Sequence, residues 1–153
     1  MNKQPKVEWD EATKTATCIL EDGDKIYCGV AACHPDDYDM CSEKTGCEIA
    51  IRRATIEAYR GYKRIIKERL GALNQYYYSI NMSKKFNEKS YENKMLQRQI
   101  RFLKDDLATI NKLIDSEYEN LRTYINEKDK FYKRIRFIRN EEGSRNVLAD
   151  NKN

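Results

Sequence analysis

From Ala72 to Glu142 the chain contains neither glycine nor proline. Those two residues are the strongest local punctuators of backbone direction. A run this long without them, rich in Glu, Lys, Arg, Leu and Ile, predicts extended helices. All but one of the breakers come earlier, at Pro5, Gly23, Gly29, Pro35, Gly46, Gly61 and Gly71. Composition limits the core those helices can enclose. Charged residues make up 35% and hydrophobic residues 40% of the 153 residues, where a globular chain has roughly 25% and 45–50%. A thick spherical core is not expected.

Before residue 42 the pattern changes to short strands. Val7-Glu8-Trp9 precedes a polar turn, and the β-branched, half-apolar run Thr15–Leu20 follows. Asp22-Gly23 marks a hairpin, where glycine supplies the positive φ of a tight turn. The third run, Lys25–Ala32, places Ile26, Cys28, Val30 and Ala32 on one face, which reads as the buried one. A three-stranded meander is too small to stand alone, so a helix must cover it. Pro35 ends the third strand, and Thr45-Gly46-Cys47-Glu48 fits a capping box that would open the first long helix.

In that helix Ile49, Ile56, Tyr59, Ile66, Leu70, Leu73 and Tyr77 recur at helical spacing. Gly61 and Gly71 each weaken it by about 1 kcal/mol relative to alanine, marking a bend or a close contact. A polar stretch, Asn81–Ser90, leads to a second helix. Its residues Leu96, Ile100, Leu103, Leu107, Ile110, Ile114, Tyr118, Leu121 and Ile125 advance by threes and fours, the seam of a coiled coil. The predicted fold is α+β: a small N-terminal three-stranded antiparallel sheet packed on a helix, followed by long antiparallel, coiled-coil-like helices. It divides into a β-meander and loop over 1–41, the first long helix over 42–80, a loop and second helical region over 81–140, and a flexible tail over 141–153. All but the tail form one domain.

Several chemistries are poorly supported. One histidine, His34, leaves no imidazole pair and no His-based metal cluster, and the nearby Asp36, Asp37 and Asp39 read most simply as a solvated turn. The five cysteines lack zinc spacing and, without an export signal, are expected as reduced thiols. No phosphate-binding glycine loop or nucleophile elbow is present. No catalytic residue, metal or cofactor is expected, and the chain is read as a non-enzyme. No apolar run approaches the roughly 20 residues that span a bilayer, so no membrane partner is expected either.

The segment Asn81–Arg101 has a different composition. It combines an unpaired aromatic (Phe86), amides (Asn81, Asn87, Asn93, Gln97) and cations (Lys84, Lys85, Lys94, Arg98, Arg101) at a helix entrance. A nucleotide asks for an aromatic face, amide groups for base or ribose edges, and cationic or N–H donors for phosphate. For Asn93 a second role stays open, because a polar residue in a helical seam also fixes register. Net charge is +4. Much of the basic charge sits in Arg60–Leu70 and Asn126–Asn140, where it could attract a small polyanion or the backbone of a nucleic acid.

Gly29–Asp39, with Thr45–Ala50 and Arg53-Ala54, resembles a strand–loop–helix pattern found in several phage proteins. More particular are Tyr77–Phe86, Lys89–Leu96 and Tyr124–Tyr132. Together these blocks resemble the phage anti-Thoeris sponge family, over roughly residues 7 to 138. The resemblance implies binding without catalysis. Family members capture the cyclic ADP-ribose isomer made by bacterial TIR-domain immune enzymes and release it intact, and some also hold cyclic di- or trinucleotides. It further implies location in the host cytoplasm and homo-oligomers, dimers assembling into hexamers, with ligand sites between protomers. Of the residues in the matching blocks, Phe86 is the candidate for adenine stacking, Asn93 for a polar contact and Arg53 for a phosphate. Asn81 and Tyr91 are further ligand candidates in those blocks. Arg98 and Arg101 rest on charge. A nucleic-acid-binding or scaffolding coiled coil is the alternative reading.

Overall fold

The computed structural model describes residues 4–82 and 90–150, with side chains through residue 138. Three strands, β1 (Lys6–Asp10), β2 (Thr15–Asp22) and β3 (Lys25–Ala32), are followed by a 3-10 turn at Pro35–Asp37. Two helices complete the chain, α1 (Glu43–Asn81) and α2 (Tyr91–Asp150). The strands form one antiparallel meander in the order β1-β2-β3. The α+β class read from the sequence is therefore the observed one. These elements gather into two compact units: Met1–Ala54 with Glu119–Asn153, and Thr55–Tyr118.

In the first unit the start of α1 lies on the sheet over a core of very small side chains: Ala16, Cys18, Ala31, Ala50 and Ala54. The pairing register sets Ala16 against Ala31, Cys18 against Gly29 and Leu20 against Tyr27. Paired residues share a face, so β3 turns Tyr27, Gly29 and Ala31 toward the helix. The apolar row expected inside is on the outer face instead: Ile26 is 65% and Val30 48% exposed. Close approach of the helix explains the inversion. A Cβ on Gly29 would lie 2.0 Å from the Ala50 carbonyl oxygen, and no side chain larger than hydrogen fits there. Hydrophobicity pointed to one face of β3, but steric clearance selected the other.

Helix α1 begins two residues before the expected capping box. Ser42 caps it, its Oγ accepting from the Thr45 N–H at 3.1 Å, while Glu48 accepts from Arg52 at 2.8 Å one turn on. A serine three residues ahead of Thr45 already satisfies the orphan amide, so the threonine becomes helical. Helix α2 is capped likewise by Ser90, whose Oγ accepts from the Asn93 N–H at 3.3 Å. It runs to Asp150, so residues 141–150, expected as a tail, are helical. Gly143 is the only breaker there, and one glycine costs about 1 kcal/mol in a helix, too little to end it. Residues 151–153 lie outside the described residues.

The cysteines depart from the expectation of five reduced thiols. Cys33 and Cys41 form a disulfide with Cα atoms 6.4 Å apart, brought together as the 3-10 turn folds back and Asp37 accepts from the Cys41 N–H at 2.9 Å. Cys18, Cys28 and Cys47 are free. Burial raises the Cys18 thiol pKa above its ordinary value, and the neighbouring Cys28 and Cys47 add to the shift.

In the second unit α1 and α2 run antiparallel. As α1 advances from Arg60 to Tyr77, its partners recede from Tyr118 to Gln97. Leu96, Ile100, Ile110 and Ile114 are buried along α2, as are Ile56 and Ala58 on α1. Much of the heptad seam is thus buried within the chain, while its residue Tyr118 stays 38% exposed. A methyl group at Gly71 would meet nothing within 4 Å, and α1 continues unbroken through Gly61 and Gly71. Among the described residues no helix is long and apolar enough to cross a membrane.

Candidate functional site

The helical unit holds a cleft of 350 Å³ lined by Asn74, Tyr77, Gln97, Ile100, Arg101 and Lys104. Helical periodicity assembles it. Asn74 and Tyr77 are three residues apart on α1, and Gln97, Ile100, Arg101 and Lys104 follow at threes and fours on α2, so each set shares one face. The Gln97 amide nitrogen donates to the Tyr77 hydroxyl at 3.1 Å, which fixes both side chains across the two helices. Ile100 is buried and forms the floor, while Arg101 and Lys104 are exposed at the rim.

The cleft carries two cations that no carboxylate among the described residues neutralises. Arg60, several turns away on α1, is by contrast matched by Glu57. Among the described residues neither Arg101 nor Lys104 has a carboxylate partner. Two unneutralised cations beside a phenol ring and two amides suit a flat, anionic, hydrogen-bonding ligand. The volume falls within the roughly 300–1,000 Å³ of small-molecule sites.

The candidates read from the sequence are partly brought together. Arg101 lines the cleft. Asn81 is half-buried one turn beyond Tyr77 on α1, and Asn93 lies one turn before Gln97 on α2. Asn93 is only 3% exposed, which favours its role as a buried polar residue that fixes register. Tyr91 is 77% exposed. Arg98 turns away from the cleft, its guanidinium 5.4 Å from the Phe102 ring centre. Arg53 belongs to the sheet-bearing unit and donates to the Val30 carbonyl of edge strand β3, so its guanidinium already has an acceptor. Phe86 lies outside the described residues.

Asn74 and Lys104 were missed, and Tyr77 and Gln97 were noticed without being chosen. The signal that finds them is the joint spacing of Asn74, Tyr77 and Asn81 with Gln97, Arg101 and Lys104, which requires knowing that the two helices are antiparallel neighbours. Among the described residues no group of three His, Cys, Asp or Glu could hold a metal ion. No known family model matches this chain, and neither does any curated protein or solved structure.

Proposed function

We propose that this chain is a phage counter-defence protein that binds and sequesters a cyclic nucleotide immune signal without degrading it. The favoured signal is the cyclic ADP-ribose isomer of TIR-domain enzymes, whose capture would keep a Thoeris effector inactive. The reading rests on the resemblance of Tyr77–Phe86, Lys89–Leu96 and Tyr124–Tyr132 to the anti-Thoeris sponge family. The observation that carries it is the cleft in which Tyr77, two amides and the unpaired Arg101 and Lys104 meet. A stacked base contributes about 1–3 kcal/mol and a hydrogen bond to a charged group about 1.5–3 kcal/mol. Nanomolar capture needs about −12 kcal/mol, more than the exposed rim of one chain offers after association costs. A second protomer supplying the remaining wall accounts for the difference.

Calorimetry with the cyclic ADP-ribose isomer, then mass analysis of the ligand released by heating, tests the proposal. Saturable heat and recovery of intact ligand are expected. Absent heat ends the nucleotide reading, and a hydrolysed product ends sequestration.

A further inference from the structure

The sheet-bearing unit contains a separate cleft of 190 Å³, walled by Trp9, Ile49, Ile125 and Tyr132, with Lys14 and Lys128 at its edge. An apolar cavity of about 150 Å³ accepts benzene, and drug-sized ligands need roughly 300 Å³ or more. The size therefore selects one ring with a substituent. Trp9 is held on two sides. Its Nε1 donates to Glu11 at 2.7 Å, and a Cβ on Gly46 would come within 2.7 Å of its Cζ3, so the indole packs directly on the first turns of α1. An aromatic wall fixed this way is preorganised for stacking.

The charges around the cleft do not cancel. Lys14 is paired with Glu11. The two carboxylates that line it are also engaged, Asp37 with Arg136 and Asp129 with Lys133 at 2.7 Å. Lys128 is the exception: its ammonium lies 5.4 Å from the Tyr124 ring centre and has no carboxylate partner among the described residues. We infer that this cleft binds a single aromatic ring carrying one anionic group, with the ring against Trp9 and Tyr132 and the anion on Lys128. The site is independent of the nucleotide reading, since it shares no residue with the helical cleft and takes a smaller ligand.

Trp9 is the only tryptophan, so its emission reports on this cleft alone. The full chain is titrated with benzoate and phenyl phosphate, with benzyl alcohol as the uncharged ring and cyclohexanecarboxylate as the ringless anion. Benzoate and phenyl phosphate are expected to shift Trp9 emission saturably, and both controls to bind at least tenfold more weakly. Lys128→Gln should remove the preference for benzoate over benzyl alcohol, and Lys128→Arg should keep it. Methyl resonances of Ile49 and Ile125 should move with the same saturation curve. No saturable change with either aromatic anion, or an unchanged preference in Lys128→Gln, overturns the inference. Failure of cyclic nucleotide capture leaves it standing.

Discussion

A methyl group on Gly29 would meet the backbone of α1 at the Ala50 carbonyl, 2.0 Å away, and at the Ala54 amide, 2.4 Å away. Backbone atoms cannot rotate aside as a flexible side chain can, so the helix itself must lift from the sheet. Gly71 is the opposite case, a helical glycine with open space where its side chain would be. The two alanine substitutions should therefore change stability in opposite directions. Gly29→Ala is expected to cost about 3 kcal/mol, the upper end of overpacking penalties, and Gly71→Ala to gain about 1 kcal/mol from helix propensity. Urea unfolding midpoints check both. Equal small effects would mean that α1 does not rest on β3 as described. Sequence alone could not separate these glycines, because the clash at Gly29 depends on which face of β3 the helix covers.

Strand and helix positions were legible at the scale of elements, and orientation was less so. Turn chemistry at Asp22-Gly23 and the β-branched, half-apolar run Thr15–Leu20 located the meander, the stripe from Ile49 to Tyr77 located α1, and the absence of breakers located α2. The inner face of β3 was not legible, because small residues and large apolar ones compete for it and only the distance to the helix decides. The seam of α2 was read correctly as a stripe, with Leu96, Ile100, Ile110 and Ile114 buried, yet its partner is α1 of the same chain. Periodicity identifies an apolar face and is silent about what covers it. The helical cleft depends on that pairing, which is why Arg101 was found from charge while Asn74 and Lys104 were not. Replacing Arg101 or Lys104 by alanine should weaken capture of the cyclic ADP-ribose isomer about tenfold each, the worth of one charge-assisted contact. Arg98→Ala should leave it unchanged, since that guanidinium is over Phe102. Calorimetry on the three variants checks this, and equal losses in all three would show that general charge, and not the cleft, attracts the ligand.

Net charge of +4 makes a polyanion the natural rival partner for the whole molecule. Salt dependence separates that rival from capture of a small ligand. Within the basic run Asn126–Asn140, Lys133 is paired with Asp129 and Arg136 with Asp37, while Lys128 lies over Tyr124. Lys130 and Arg134 in the same run, and Lys63, Arg64, Lys67 and Arg69 on α1, have no carboxylate partner among the described residues, and a nucleic acid held through such cations would give a salt slope of about −0.9 per phosphate contact on duplex DNA. Sequestration of a small ligand predicts instead a shallow salt slope and no gain with oligonucleotide length. The sequestration proposal makes a further demand on the intact molecule, because one chain's open cleft holds too few contacts for nanomolar binding. Affinity for the cyclic ADP-ribose isomer should then depend on protein concentration, and light scattering should find the liganded species heavier than the 18.2 kDa protomer. Dilution below the dissociation constant of the protomers should weaken binding by an order of magnitude or more, since each lost contact of about 1.4 kcal/mol is tenfold. A protomer-sized species that still binds at full strength would mean that a single chain encloses the ligand, and the shared-wall account of capture would have to be abandoned.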